Sequence, residues 1–255
     1  MQFLAYTQMR RLTTVRTGEM QQALALSPSQ ERELLSRLSR AGMIARVRRG
    51  LYLVPDYLPP GGEWTPDEAT ALNALMKEAG GRYQICGLNA FNRYGYDEQV
   101  PARVYAYNDR ISGERTIGVI TLNLIRVDKK RLGDMEKVRS WDGQTVFYSS
   151  RVRTLLDAVY DWARFGTLPR AYKWIRDDLR AGRVKPGKLV DVTLKFGDIG
   201  TIRRMGVLLE GEGVDEELLE RLERPLRPTS ATIPLVPGKP KRGRVNRRWG
   251  IIVNT

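Results

Sequence analysis

The clearest pattern of apolar and polar positions in the chain predicts an amphipathic helix over residues 28–41. At about 100° per residue, the apolar positions gather on one side of this helix, and they are Leu34, Leu35, Leu38 and Ala41. The polar positions fall on the other side, and they are Ser29, Arg32, Glu33, Ser36 and Arg40, with Arg37 at the flank. Such a helix docks its apolar side and presents arginines and serines outward.

The residues at both ends favour these boundaries. Ser27 has the side-chain oxygen of an N-cap, and Pro28 suits the first helical position. Gln30, three residues after Ser27, is placed for a capping box. Gly42 is placed to end the helix in the left-handed conformation.

Two short apolar runs after the helix, residues 43–47 and 51–54, predict a β-hairpin. Gly50 supplies the positive φ that a tight turn between them requires. Because side chains alternate along a strand, Arg46 and Arg48 are expected to share one face of the hairpin. The hairpin therefore has a basic tip.

Residues 1–60 are predicted to form a winged helix-turn-helix domain. A weak helical pattern over residues 3–12 and a short second helix from Thr17 to about Leu24 complete three helices and a hairpin. In this fold the recognition helix enters the major groove of DNA and the hairpin lies against the backbone. The predicted DNA-binding residues are Ser29, Gln30, Arg32, Ser36, Arg37, Arg40, Arg46, Arg48 and Arg49. The alternative is a solvated basic face on a small α+β unit, with hairpin arginines that pair with acids of the second domain.

A linker rich in proline and glycine, residues 55–66, precedes a predicted second domain over residues 65–255. Its patterns predict a helix from Pro66 to Ala79 capped by Thr65, strands within about 101–148, helices within about 153–224, and an extended basic tail over 225–255. One of the predicted strands begins at Ile117 and ends at Leu122. The fold class is therefore α+β, with the winged helix-turn-helix followed by a larger mixed α+β C-terminal domain.

The formal net charge of +14 makes a polyanion the first partner to consider. Residues 1–60 contain nine Lys/Arg against four Asp/Glu, and residues 225–255 contain seven Lys/Arg and no acid. The positive charge thus lies at the two ends of the chain. The tail offers possible accessory nucleic-acid contacts at Lys241, Arg242, Arg244, Arg247 and Arg248, and the alternative is an edge strand whose arginines pair with local acids.

The chain contains no histidine, which excludes a Ser-His-Asp triad, a Cys-His pair and His-ligated metal sites. Cys86 is the single cysteine and is expected to be a buried packing residue in a cytoplasmic protein. The paired acids at 177–178 and 215–217, and a weak carboxylate–lysine set at 109, 114 and 128–130, are explained by solvated helix ends and turns. We therefore expect no enzyme activity, no cofactor, no metal site, no signal peptide and no membrane span.

In its order of motifs the chain resembles the AbiEi family, the antitoxin and autorepressor component of type IV toxin–antitoxin systems. The matching segments are LLSRLSRAGMIARVRRGLYLVP, ICGLNAF, SSRVRTLLDAV, IRRMGVLLE and RGRVNRRWGIIVN, which extend over nearly the whole chain. Each motif is weak alone, and their order and spacing make the resemblance moderately specific.

The resemblance implies that the N-terminal domain binds inverted repeats of double-stranded DNA in its own promoter and represses transcription. It also implies that the C-terminal domain counteracts a nucleotidyltransferase-like toxin without a stable direct complex. Two alternatives stay open from the residues themselves. One is a winged-helix regulator that responds to a ligand, and the other is a nuclease that uses the N-terminal domain for targeting.

Overall fold

A computed structural model describes residues 2–140 and 143–254 of the protein. Within these residues the fold is mixed α+β, with ten α-helices and three sheets. The helices are α1 (Gln2–Met9), α2 (Pro28–Arg40), α3 (Glu68–Ala79), α4 (Gly87–Arg93), α5 (Arg151–Tyr160), α6 (Trp162–Phe165), α7 (Arg170–Arg180), α8 (Pro186–Phe196), α9 (Ile199–Gly211) and α10 (Glu216–Glu223). In the described part of the chain, no helix has both the length and the apolarity to span a membrane.

The strands are β1 (Thr14–Arg16), β2 (Ala45–Arg48), β3 (Leu51–Leu53), β4 (Tyr83–Ile85), β5 (Val104–Asn108), β6 (Gly113–Ile117), β7 (Ile120–Arg126), β8 (Met135–Arg139), β9 (Thr145–Ser149), β10 (Ile233–Pro234), β11 (Arg244–Asn246) and β12 (Ile251–Val253). Their orders in the three sheets are β1-β3-β2, β10-β12-β11 and β6-β7-β5-β4-β9-β8. A short 3₁₀ helix covers Lys129–Arg131.

Contacts divide the chain into two compact units. The first contains residues 1–84, 101–129 and 137–147, and the second contains residues 85–100, 130–136 and 148–255. The predicted functional division between residues 60 and 65 does not coincide with this boundary, because the first unit also includes α3 and the strands β5, β6 and β7.

The N-terminal part of the first unit has its own hydrophobic core. The buried residues of this core are Phe3, Leu4, Val15, Met20, Leu35, Ile44 and Val54. β3 pairs antiparallel with β1 on one side and with β2 on the other, which forms a small three-stranded sheet. This sheet, α1 and α2 pack around the core. β1, which follows α1, thus pairs with the second strand of the hairpin that follows α2.

The helix predicted between Thr17 and Leu24 is wrong, because residues 17–25 form consecutive turns. Gly18 has a φ of +104°, which is outside the helical region. The backbone N–H groups of Gly18 and Met20 donate to the Glu31 carboxylate instead of to helical carbonyls. For these two N–H groups, a side chain more than ten residues away in the sequence is the acceptor.

Two other predicted boundaries in the first unit change. Asp67, not Thr65, caps α3, and its Oδ1 accepts the N–H of Thr70 at 2.6 Å. The predicted strand from Ile117 to Leu122 is split by a turn at Gly118, whose φ is +62°. β6 and β7 consequently form an antiparallel hairpin, and β5 pairs with β7 in parallel.

The second unit is mainly helical, and α5 is almost completely buried, from Arg153 to Val159. The tail predicted as extended forms the sheet β10-β12-β11, so it is a folded part of this unit. Arg203 of α9 donates through Nε to the carbonyl of Trp249 at 2.6 Å. A Cβ at Gly206 would lie 2.2 Å from the Trp249 ring, so this glycine allows the close approach. The IRRMGVLLE and RGRVNRRWGIIVN segments therefore pack against each other.

Candidate nucleic-acid interface

The helix α2 is built as its sequence predicts. Ser27 accepts the N–H of Gln30 through Oγ at 3.3 Å, and the N–H of Ser27 donates to Oε1 of Gln30 at 2.8 Å. Oγ of Ser29 lies 3.0 Å from Oγ of Ser27. The capping box uses one of the two acceptor sites of the Gln30 side-chain oxygen and leaves the amide N–H groups to donate to a base. The helix ends before Gly42, whose φ is +67°.

The outer side of α2 is exposed and basic. Leu35 on the inner side is fully buried, whereas Arg32, Ser36, Arg37 and Arg40 are exposed. Within the described residues, none of these three arginines takes part in an ion pair. Their guanidiniums are therefore available to an external anion.

A buried glutamate fixes the inner side of the same helix. The side chain of Glu31 is completely buried, and its carboxylate accepts the N–H groups of Gly18 and Met20 at 2.8–3.0 Å. It also accepts the side-chain amide of Gln21 at 2.9 Å. The sequence interpretation missed this residue, although its position four residues before the buried Leu35 was a usable signal. Glu31 attaches the 17–25 turns to α2 and so positions the N-terminal end of the helix.

The hairpin presents the predicted arginines on its exposed face. β2 alternates buried and exposed positions, with Ala45 and Val47 buried, and Arg46 and Arg48 exposed. Arg49 at the turn is also exposed, and Gly50 has the expected positive φ, +79°. In the part of the chain that the structure describes, neither Arg46 nor Arg49 makes an ion pair.

Arg48 differs from the other hairpin arginines because it binds Glu78 near the end of α3. Its Nε donates to Oε1 of Glu78 at 2.8 Å, and its Nη2 contacts the same oxygen. Arg16 of β1 binds the same carboxylate, with Nη1 3.3 Å from Oε1 and Nη2 against Oε2. The hydrogen bonds from Arg16 and then Arg48 lower the pKa of Glu78 to about 2. Arg48 therefore has the pairing that the alternative expected, with an acid of the predicted second domain, residues 65–255.

The basic tail also contains both paired and unpaired residues, as far as the described part of the chain shows. Exposed positions without an ion pair, as far as the described residues show, are Lys241, Arg242, Arg244 and Arg247. Arg248 is different, since it contacts Glu210 at 3.5 Å, Glu216 at 2.6 Å and Glu223 at 2.9 Å. The hydrogen bond with Glu216 is the largest cause of its raised pKa. Arg248 thus pairs with local acids, as the alternative for the tail expected, and its role as an accessory nucleic-acid contact stays a prediction.

A groove of about 860 Å³ lies in the first unit between the small sheet and α3. Its lining includes Arg16, Leu53, Trp64, Lys77 and Glu78. The groove is lined by both apolar and charged groups.

The other chemical candidates have local partners. Cys86 is completely buried. Asp177 binds Lys173 at 2.7 Å, Glu114 binds Arg103 at 2.7 Å, and Asp109 accepts the N–H of Arg82 at 2.8 Å. Among residues 2–140 and 143–254, no group of three or more Cys, Asp or Glu side chains is arranged to hold a metal ion.

Comparisons with known proteins bear on the fold. No protein-family model matches the sequence, and no curated protein matches it. The chain is similar in structure to the crystal structure of the Rv2827c protein from Mycobacterium tuberculosis, with a TM-score of 0.59 and 13% sequence identity. The alignment covers 98% of this chain and 89% of that chain. At this identity the likeness concerns the fold alone.

Proposed function

We propose that the protein binds double-stranded DNA as a winged-helix repressor, with α2 in the major groove and the β2–β3 hairpin against the phosphate backbone. The observation that carries the proposal is a set of exposed arginines without ion-pair partners among the described residues, namely Arg32, Arg37, Arg40, Arg46 and Arg49. The three-stranded sheet β1-β3-β2 and the exposed basic side of α2 support the proposal, whereas residues 17–25 form turns where a helix-turn-helix has its first helix.

The charge distribution supports a polyanionic partner. Like charges on one surface repel each other, and a DNA backbone relieves this repulsion while it releases condensed counterions. The arginines of α2 project from its outer side, where guanidiniums can reach the O6 and N7 atoms of guanine. The hairpin arginines lie at a turn and are suited to phosphates, which carry no sequence information.

We further propose, from the resemblance to the AbiEi family, that the DNA is an inverted repeat in the protein's own promoter. On this proposal the protein is the antitoxin of a type IV system. The C-terminal half then counteracts a nucleotidyltransferase-like toxin, without a stable complex and without catalysis by this chain. The support for this second proposal is the order of motifs in the sequence, together with a mixed α+β fold of the expected class.

Titration of the protein against its own promoter fragment and a random duplex of equal length tests DNA binding. We expect tighter binding to the promoter, and binding to both that weakens as the salt concentration rises. Equal affinity for the two duplexes would contradict the repressor function. Coexpression with a neighbouring nucleotidyltransferase tests the antitoxin function, and growth that is no better than with the toxin alone would contradict it.

The groove of about 860 Å³ favours one alternative, a regulator that responds to a small ligand. Its lining includes Leu53 of β3 and Glu78 of α3, so a ligand there would act next to the hairpin. Thermal-shift screening with small metabolites tests this alternative, and a positive result must also change the affinity for the promoter. Incubation with plasmid, tRNA and Mg²⁺ tests the nuclease alternative, for which cleavage is the required outcome.

A further inference from the structure

Arg16 and Arg48 are brought to one place by the register of the small sheet. Arg16 on β1 and Arg48 on β2 are both register partners of Leu51 on the central strand β3. Adjacent strands are about 4.8 Å apart, so the two arginines flank Leu51 within the width of three strands. Thirty-one residues lie between them in the sequence, and no local pattern links them.

The Glu78 carboxylate closes the space between the two guanidiniums. Oε1 accepts from Arg48 Nε at 2.8 Å and from Arg16 Nη1 at 3.3 Å, and Oε2 contacts Arg16 Nη2. Two anionic oxygens that bridge two planar guanidiniums also describe a bound phosphodiester, whose two non-bridging oxygens have the same charge and similar spacing. Glu78 therefore occupies the position that a phosphate would take.

The geometry points to Arg16 and Arg48 as a phosphodiester-binding fork that the Glu78 carboxylate keeps closed in the free protein. The inference rests on the proposed DNA binding and adds to it, because Arg16 lies outside the predicted site. Glu78 acts as an internal competitor of DNA phosphate, and it limits the number of backbone contacts that the wild-type protein makes.

The fork is accessible to an external phosphate. The side chains of Arg16 and Arg48 are 50% and 49% exposed, whereas that of Glu78 is only 15% exposed. Glu19 is the other acid that acts on Arg16, and its carboxylate accepts the backbone N–H of that residue. Glu78 stays ionised at neutral pH because its pKa is about 2, so removal of its charge requires substitution rather than mild acid.

Variants of the intact protein test the fork. Glu78→Gln removes the competing charge, and Glu78→Asp keeps the charge but shortens the side chain by one methylene group. Glu114→Gln is the matched control, since it makes the same charge change in the same unit and releases Arg103 from an exposed pair at 2.7 Å. Binding of each variant to a random duplex is measured at several salt concentrations.

With Glu78→Gln, binding is expected to tighten about three- to tenfold, and the slope of log K against log [salt] should steepen by about one to two, at ~0.9 per phosphate contact. Glu78→Asp should give a smaller gain in the same direction. Arg16→Ala should change little in the wild type but should cancel part of the gain in the Glu78→Gln background. A gain of equal size in Glu114→Gln, or weaker binding by Glu78→Gln, would overturn the fork.

A second measurement separates this inference from the proposed function. Inorganic phosphate is titrated into each protein while the Nε–Hε NMR signals of Arg16 and Arg48 are followed. In Glu78→Gln the chemical shifts of these two signals should change as phosphate is added. In the wild type they should remain constant. If phosphate shifts them but no duplex binds, the fork stands and DNA binding is wrong. If phosphate does not shift them, the fork is wrong, whatever the DNA titrations show.

Discussion

Arg32 lies on the exposed side of α2, one turn after the capped N-terminus, with no ion pair in the described part of the chain. Residues at this end of a recognition helix reach base edges. We expect Arg32→Ala to cost about 1–3 kcal/mol on the promoter fragment and little on a random duplex. Arg224→Ala, at an exposed arginine after α10, is the control and should change neither affinity. Equal losses on both duplexes would show that Arg32 contacts only phosphate.

Glu31 has a structural role, because its buried carboxylate accepts the backbone N–H groups of Gly18 and Met20. Glu31→Ala leaves these donors without a partner, so the free energy of unfolding should fall by about 1–3 kcal/mol. Urea denaturation measures this change. Glu33→Ala on the exposed side of α2 should stay within about 0.5 kcal/mol of the wild type. Similar losses in both variants would contradict the role of Glu31.

At the scale of elements, the hairpin has two arginines, Arg46 and Arg49, without an ion pair among the described residues, and a third, Arg48, that Glu78 binds. We expect the double variant Arg46→Ala, Arg49→Ala to weaken binding to the promoter and to a random duplex alike. The salt slope should fall by about two, at ~0.9 per contact. Arg48→Ala alone should change the slope much less, because Glu78 already occupies its guanidinium. If Arg48→Ala produces the larger change, Glu78 does not compete with DNA.

Glu78 joins α3 to β1 and β2, and the stability that this pairing contributes should depend on pH. Because the pKa of Glu78 is lowered to about 2, its pairing stabilises the fold above the ordinary pKa of a glutamate and is lost as the pH falls towards 2. The difference in melting temperature between wild type and Glu78→Gln should therefore be constant from pH 8 to about 5. It should shrink below about pH 4.5, as thermal melts in a pH series will show. A difference that grows on acidification would have the wrong sign.

At the scale of the whole molecule, the proposed division of labour is best tested in the intact chain. The first compact unit combines residues 1–84 with strands from beyond residue 100, so a fragment that begins at residue 65 would divide it. We expect the double variant Arg32→Ala, Arg37→Ala to lose repression of its promoter and to keep protection against the toxin. Reporter expression and growth beside the toxin measure the two functions. Loss of both functions, in a variant that melts like the wild type, would mean that one surface serves both.

The sequence by itself determined the elements whose signals are local. The capping box of Ser27 and Gln30 spans three residues, and the left-handed glycines Gly42 and Gly50 mark the end of α2 and the hairpin turn. Alternation along β2 predicted which arginines are exposed. These features depend on hydrogen bonds and φ values within one turn of the chain, so they can be predicted without knowledge of distant residues.

Only the tertiary structure decided which charges are paired. Arg16 and Glu78 are 62 residues apart, Arg48 and Glu78 are 30 apart, and Arg248 is 38 residues from Glu210. The turns that replace the helix predicted from Thr17 also depend on a distant acceptor, Glu31. Ion pairs and buried acceptors of this kind are set by packing between elements, which periodicity along a chain does not encode. The sequence therefore predicted where the basic residues are exposed, whereas the fold determined that Arg48 and Arg248 are already paired.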